Sequence, residues 1–564
     1  MERLRQLDAV GRACAIVFLI SLRCACLLGA PADLEDIKKA FEAKRWEQVV
    51  EEAKSLPGSS PDADYYLGIA LARLERWKEA RAVLLNGQRL QPDDARFPIE
   101  LAGVAFKQKR YSEAERWLRR GLRLNPRDSY AEDFLATIYF LQGNLEAALK
   151  YWNRAGKPVI ANVRPVPALR VDPVLLDRAF TFAPGDVLSV SDLLTSRARI
   201  EGLGIFPDFN FRLDLQDDGR FNALFTAPER NGWGNTKTEA LASILRGAFY
   251  QTAYPDYFNI GRSAVNLESL VRWDPQKRRL AVSLSGPLEG DPQYRYWLGL
   301  DLRDENWETQ RAFQTAAPSL TAFKLRRYAA GGGVTLFRNG GWDWSASGEL
   351  SRRDYQNVVG IPAEALLRGY QLKFLLKADH DLLRIPERRF DSSAHVSSEL
   401  GTIWAASPHT FERLQASVDS RWMPQMDGDD YAIHQQFRAG TIFGEVPLDE
   451  LFILGLERDN DLWMRAHIGT RDGRKGSAPM GRHYFVSNWE IDKNVYNGGF
   501  FSVKLSPFLD TGKIRDSALG LDTTKWLWDT GMQAKFRAFG VGISFIYGKD
   551  LRSGNNTFYV IAGR

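Results

Sequence analysis

The sequence predicts a multidomain protein: an all-α helical-repeat solenoid, then a small α/β domain, then a transmembrane antiparallel β-barrel of about 16 strands. Small residues recur every 34 positions in the N-terminal part of the chain. A helix and two alternating segments follow, and period-2 alternation then continues to the C-terminus. The predicted domains span residues 33–160, 165–232 and 235–564.

An export signal is predicted ahead of these domains. Residues 1–32 place three arginines before an apolar run and end in the small-residue stretch A-P-A at 30–32, a typical cleavage site. The apolar run is shorter than the roughly 20 residues that a spanning helix needs, so a retained anchor is the less favoured alternative. All the cysteines lie in this segment: Cys14, Cys24 and Cys26. The mature chain is therefore predicted to have no disulfide, no thiolate metal site and no cysteine nucleophile.

The repeats have a frame of small residues and prolines. These frame residues are Gly68, Ala80, Pro92, Ala102, Ala114, Pro126, Ala136 and Ala148. Small side chains let two antiparallel helices cross closely, and each proline ends the second helix of its unit. A 34-residue period with this frame resembles the tetratricopeptide repeat. The resemblance implies a concave face that binds a periplasmic protein partner, and the alternative is a rigid spacer.

The second domain is predicted from a capped helix and a hairpin. Ser189 or Ser191 can cap a helix that Gly204 ends, and the strands FNFRLDLQ and FNALFTA are joined by a DDG turn. The order FxPGD, helix, LGxF and two strands, ending near Glu229, resembles a POTRA domain. Such domains are periplasmic modules ahead of outer-membrane barrels.

The third domain is predicted from strands that alternate in polarity. In RRLAVSLSG, Leu280, Val282 and Leu284 lie on one face and small or polar residues on the other. Twelve of the sixteen tryptophans follow residue 230, as aromatic girdles require. A helix-free, strand-rich chain in lipid has to close on itself, because an open edge leaves backbone groups unsatisfied. The alternative is a large soluble array of β-sandwiches.

A series of motifs late in the chain resembles the barrels of the BamA/TamA-type outer-membrane assembly and translocation superfamily. The matching residues are Gly455, Met464, Arg465, Ala466, His467, Gly481, Asn488, Glu490, Phe508, Asp510 and Gly512. The resemblance implies a long extracellular loop that folds into the lumen. There Arg465 pairs with Asp510, with Glu490 nearby on the wall, as a lock on the loop. An arginine fork can bind a carboxylate bidentately, which a lysine cannot.

Two residues depart from the motif. Ala466 replaces the usual glycine, and His467 replaces the usual aromatic residue. A loop tip without that glycine is expected to be less tight. With His467, the loop tip is expected to respond to pH, which it would not do with an aromatic residue.

The sequence favours no enzyme. None of the six histidines is spaced as HExxH, and neither a G-x-S-x-G elbow nor a P-loop is present. No cofactor and no metal site are predicted. The net charge of +5 over 564 residues is too diffuse to indicate nucleic-acid binding.

The predicted function is insertion or translocation of polypeptides at the outer membrane of a Gram-negative-type cell, with the N-terminal domains in the periplasm. The partners would be unfolded outer-membrane or secreted clients, a periplasmic protein and the lipid bilayer. Gly540, Gly542 and Gly548 are expected to weaken strand pairing near the barrel seam. The alternatives are an outer-membrane anchored scaffold that binds a periplasmic partner, and a pore or exporter of surface lipoproteins.

Overall fold

The computed structural model describes residues 33–563, except 57, 59, 310–319, 362–365, 426–429, 499–500, 518–519, 524 and 539–540. The predicted export signal, its three cysteines and Gly540 lie outside the described residues. The chain divides after Leu141 into two compact units. None of the helices in the described part of the chain is long and apolar enough to cross a bilayer.

The first unit consists of three antiparallel helix pairs and one further helix. The described helices are α1 Leu34–Glu42, α2 Trp46–Ser55, α3 Pro61–Arg73, α4 Trp77–Leu90, α5 Arg96–Lys107, α6 Tyr111–Leu124 and α7 Ser129–Leu141. Each 34-residue repeat forms two antiparallel helices, because each helix pair buries one apolar face against the next pair.

The frame residues lie where these helices cross. Ala80, Ala102, Ala114 and Ala136 are fully buried. At Gly68, a Cβ atom would lie 2.5 Å from the side chain of Leu84, so a larger residue would displace Leu84 where α3 meets α4. Pro92 and Pro126 each stand two residues after the last residue of a helix, α4 or α6.

The second unit begins with a small α/β module. Its helices are α8 Leu145–Trp152, α9 Pro173–Ala179 and α10 Val190–Leu203, and its strands are β1 Ile160–Pro165, β2 Asn210–Leu215 and β3 Phe221–Thr226. The strand order is β1-β3-β2, with β1 parallel and β2 antiparallel to β3. The cap of α10 is Ser189, in a capping box with Asp192, and Gly204 ends the helix at φ 71°.

A large antiparallel sheet of about 18 strands follows, in the strand order of a barrel. Its strands are β4 Thr252–Ala253, β5 Tyr257–Ile260, β6 Val265–Asp274, β7 Lys277–Leu288, β8 Asp291–Thr309, β9 Thr321–Phe337, β10 Trp342–Val359, β11 Gly369–Ile385, β12 Phe390–Trp404, β13 Pro408–Trp422, β14 Tyr431–Gly444, β16 Thr470–Arg471, β17 Arg474–Lys475, β19 His483–Gly498, β20 Phe501–Arg515, β21 Leu527–Ala538, β22 Val541–Asp550 and β23 Asn556–Gly563. A separate pair is formed by β15 Phe452–Ile453 and β18 Met480–Gly481. Two of these strands, β16 and β17, belong to the loop between β14 and β19, which accounts for the difference from the predicted number of about 16.

The prediction that residues 235–564 contain no helix is wrong. Helix α11 spans Lys237–Leu245, and Thr236 caps it by accepting a hydrogen bond from the backbone N–H of Glu239. A threonine followed three residues later by a glutamate is a start signal for a helix, so local capping overrides the strand pattern here.

The two faces of the sheet differ as the alternation predicts. The outward face is apolar at mid-strand, where Leu298, Leu300, Leu350, Phe374, Leu376, Val396 and Leu400 are all at least half exposed. Exposed tryptophans stand at the strand ends: Trp342, Trp344 and Trp422 at one end, and Trp273, Trp404, Trp526 and Trp528 at the other. The inward face bears charged and small side chains.

The α/β module lies against the turns at one end of this sheet. The backbone N–H of Asp172 donates to the carbonyl of Arg262 over 2.8 Å. Arg178 donates to the carbonyl of Gly290 over 3.2 Å, and Asn144 to that of Pro386 over 2.8 Å. The loop described next leaves from the opposite end.

Candidate functional site

A long loop, residues 445–482, connects β14 to β19. The two strands pair with each other directly, so the loop leaves the sheet without interrupting it. Its apolar side chains, including Leu454, Leu462 and Met464, are buried against Tyr484, Val486, Ile514 and Leu527 of the strands. The loop is therefore folded against the inner wall.

Arg465 is the centre of the contact between the loop tip and the wall. Its Nε donates to Oδ2 of Asp510 over 2.9 Å, and its Nη2 donates to Oδ1 over 2.7 Å. The backbone N–H of Arg465 donates to the same carboxylate over 3.1 Å. Arg465 is 3% exposed and Asp510 is 0% exposed, so a bidentate pair is formed out of water.

Other groups surround the guanidinium. It lies 3.8 Å above the ring of Phe508, and Nη1 donates to Glu490. Asn488 donates to Oδ1 of Asp510 over 2.8 Å and to the carbonyl of Trp463 over 2.9 Å. This asparagine therefore joins the loop backbone to the same carboxylate.

Glycines on the wall let the loop tip approach. A Cβ atom on Gly548 would lie 2.4 Å from the carbonyl oxygen of Arg465, and one on Gly512 would lie 3.1 Å from the sulfur of Met464. The sequence relates Gly548 to weak strand pairing. The structure gives a different role for this glycine, because the backbone of the loop passes directly over it.

His467 contacts a second pair of wall carboxylates. Its Nδ1 lies 3.0 Å from Oδ2 of Asp529, and its Nε2 lies 3.8 Å from Oδ2 of Asp550. The backbone N–H of Ala466 donates to Oδ2 of Asp529 over 2.7 Å. The residues that depart from the motif are thus placed against β21 and β22.

A second charged contact involves Asp459 of the loop. Its carboxylate lies 2.9 Å from Arg272, 2.8 Å from Arg279 and 3.1 Å from Lys475. Burial raises the pKa of Asp459, but the three cations outweigh burial and hold this pKa well below its ordinary value. Lys475 also pairs with Glu305 over 2.9 Å.

A third charged contact involves Glu450. Its carboxylate lies 2.8 Å from Arg353, 3.3 Å from Lys373 and 3.1 Å from Arg413. Burial opposes ionisation here too, and the cations still hold the pKa of Glu450 well below its ordinary value. Since these cations lie on β10, β11 and β13, the base of the loop is fixed to a different part of the wall than the tip.

The structure brings most of the motif residues together. Arg465, Asp510, Glu490, Asn488, Phe508, Met464 and Gly512 meet at the loop tip. Gly455 lies beside the tip, where its N–H donates to the carbonyl of Leu462 over 3.0 Å and a Cβ atom would be 2.9 Å from the carbonyl of His467. Gly481 lies at the base of the loop, where a Cβ atom would be 2.3 Å from the carbonyl of Arg515.

Sequence reasoning missed the partners of His467 and the contacts of Glu450 and Asp459. Asp529 and Asp550 lie more than sixty residues after His467 along the chain, and no spacing rule joins them. The only signal in the sequence was the high proportion of acidic residues between 449 and 461.

Comparison with known proteins gives one family for part of the chain. A family model described as tetratricopeptide repeat matches residues 43–95, 65–129 and 99–158. The N-terminal repeats match that family. This confirms the resemblance that the 34-residue spacing predicted, over less than half of the chain. No curated relative matches the sequence at a significant level.

Similar solved structures include barrels. BamA of Haemophilus ducreyi, in a form lacking POTRA domains 1-3, is 13% identical, covers 72% of this chain and 85% of its own, and has a TM-score of 0.42. CdiB from Escherichia coli is 14% identical, with 72% and 77% covered and a TM-score of 0.48. MamA is 20% identical over 23% of this chain and 81% of its own, with a TM-score of 0.22. BamA belongs to the superfamily whose motif the loop resembles, and at these TM-scores the likeness adds no argument about the site.

Proposed function

We propose that this protein is an outer-membrane β-barrel that inserts polypeptides into the outer membrane or translocates them across it. The loop that Arg465 holds against the inner wall carries this proposal, because its motif is the part of the chain that resembles assembly and translocation barrels. The cell would be of the Gram-negative type, with the N-terminal domains in the periplasm.

The surface of the sheet supports placement in a membrane. A broad apolar face is costly in water, and it lies between two sets of exposed tryptophans such as Trp344 and Trp404. Aromatic residues favour the two membrane interfaces. In a bilayer, the barrel order of the strands would close so that no backbone edge meets lipid.

The α/β module supports client binding. In the order β1-β3-β2, β2 is an edge strand, and Asn210 and Arg212 on it are exposed. An unpaired edge can accept an extended polypeptide by strand addition. We propose that this POTRA-like module, which lies at the end of the sheet opposite the loop, receives the client in this way.

The repeats would bind a protein partner in the periplasm, as tetratricopeptide repeats commonly bind peptides or proteins. The client would then leave through a seam between the first and last strands of the barrel. The process needs no hydrolysis, since folding of the client provides the free energy, and we propose no enzymatic activity.

The test is site-specific photocrosslinking in living cells. Probes at Asn210 and Arg212 report on the edge of the module, and a probe at the exposed Phe558 reports on the last strand. A probe at Leu298, which is equally exposed but in the middle of the wall, is the matched control.

Crosslinks from both the module and the last strand to the same unfolded client are the expected result. Crosslinks of the Leu298 probe to that client would indicate nonspecific contact with the barrel surface. They would contradict release of the client through a seam between the first and last strands. Crosslinks only from the repeats, to a folded periplasmic protein, would establish the anchored scaffold and refute the proposal.

A further inference from the structure

The pair of wall carboxylates next to His467 forms a cluster apart from the Arg465 contact. One ligand atom each from His467, Asp529 and Asp550 lies within 4.8 Å of the other two. The three side chains are 3%, 0% and 3% exposed. An imidazole and two carboxylates are therefore enclosed together between the loop tip and strands β21 and β22.

The two carboxylates of this cluster have His467 as their ion-pair partner among the described residues. Arg465, the neighbouring cation, is directed to Asp510 and Glu490. With a neutral imidazole, two negative charges are buried together, which is unfavourable without a compensating cation.

One oxygen in the cluster also lacks a partner. Oδ2 of Asp529 accepts from Ala466 and contacts His467, but Oδ1 is buried without a hydrogen-bond partner among the described residues. Asp550 differs, because its two oxygens accept from the backbone of Arg552 over 2.9 Å and from Ser553 over 2.5 Å. Buried polar atoms are normally satisfied, so Oδ1 of Asp529 indicates a ligand at this point.

We propose that His467, Asp529 and Asp550 bind a divalent transition-metal ion, of which zinc fits best. Histidine and carboxylates are zinc ligands, and Oδ1 of Asp529 is the oxygen of that residue with no other partner among the described residues, so the cluster offers three protein ligands. Bonds of about 2.0–2.2 Å place ligand atoms roughly 3.4 Å apart, so the side chains need only small rotations from their present separation. The ion would fasten the loop tip to β21 and β22 independently of Arg465.

This site belongs to this chain and not to the motif. The motif has an aromatic residue where His467 stands, so the ion would replace a packing contact with a coordinated one. The inference is independent of the proposed transport function, because it concerns only how the loop is held.

The test measures bound metal on the full-length protein in detergent. The protein is stripped with a chelator, reloaded with zinc sulfate and dialysed, and zinc is then quantified by mass spectrometry. About one zinc per chain is expected, falling below about a tenth in His467→Phe and in Asp529→Asn. His467→Phe restores the aromatic residue of the motif and is therefore expected to fold.

His395→Phe is the matched control. His395 also lies between two aspartates, 2.5 Å from Asp379 and 3.4 Å from Asp419, but its side chain is 42% exposed. This variant is expected to keep its zinc. If zinc is lost with His395 and not with His467, the proposed site is wrong.

The midpoint of thermal unfolding provides a second measurement, which uses only the native chain. Stripping is expected to lower the midpoint of the native chain, and zinc to restore it, because an ion that binds only the folded state stabilises it. If the native chain retains no zinc and its midpoint does not change with zinc, the proposal is refuted.

Discussion

Replacing Arg465 with alanine is expected to release the loop tip from the wall. The change leaves Asp510 fully buried without its cation, and breaking a buried pair in this way costs about 3–5 kcal/mol. Asn488 still donates to Asp510 over 2.8 Å, and the backbone N–H of residue 465 lies 3.1 Å away. We therefore expect a cost at the lower end of this range, about 3 kcal/mol, to the docking of the loop tip.

That free energy corresponds to a factor of roughly 10² in the opening equilibrium of the tip, at about 1.4 kcal/mol per tenfold change. Hydrogen exchange followed by mass spectrometry measures it. The amide of Ala466, which donates to Asp529 over 2.7 Å, should exchange about 10²-fold faster. Amides at the base of the loop should change little, because Glu450 and Asp459 hold that part.

The matched control is Arg474→Ala. Arg474 lies in the same loop and pairs with Glu308 over 2.7 Å, but its side chain is 45% exposed. A pair of this kind contributes at most about 1 kcal/mol. Asp510→Asn and the double variant complete a cycle, in which the double variant should be no worse than either single one. Losses that add to within about 0.5 kcal/mol would refute the view that Arg465 and Asp510 act as a pair.

Three further predictions concern other parts of the structure. Gly548→Ala places a Cβ atom 2.4 Å from the carbonyl of Arg465 and should destabilise the docked tip by about 1–3 kcal/mol in the same exchange assay. Gly341→Ala, whose Cβ atom would meet nothing closer than 3.8 Å, is its control and should stay within about 0.5 kcal/mol. The pKa values of Glu450 and Asp459 are lowered well below their ordinary values in the folded state, so their contribution to stability is fully present above the unfolded pKa of about 4 and is lost as the pH falls from there through the lower folded-state pKa. A spin label at Asp461→Cys should therefore keep the same mobility from pH 8 to about pH 5 and become more mobile only below about pH 4, and an increase already at pH 6 would contradict this sign. Deleting residues 33–141, the first compact unit, should leave the heat-modifiable migration of a folded barrel and abolish capture of the periplasmic partner. Loss of that migration would show that the barrel needs the repeats.

Much of the fold could be predicted because its signals are local. The 34-residue frame, the capped helix that ends at Gly204 and the alternation at Leu298 and Leu300 each depend on neighbours in the chain. Helix α11 also had a local signal, in Thr236 and Glu239, which the general strand pattern obscured.

The site could be predicted only where a motif joined distant residues. Arg465 and Asp510 were paired through the resemblance, although 45 positions separate them. Nothing in the sequence pairs Asp459 with Arg272 or Glu450 with Arg353, because long-range ion pairs follow no period. Such partners are known only once the sheet has brought their strands together.

The three charged contacts of the loop also bear on the order in which the chain folds. Their partners come from β6 near the start of the sheet, from β10 to β13 in its middle, and from β20 near its end. The loop therefore cannot complete its burial until strands made both before and after it are in place. Closing contacts between such distant segments is slow, so docking of the loop is expected to be a late step. A chain that has lost its last strands would keep its charged loop in water, where proteases can distinguish it from a finished one.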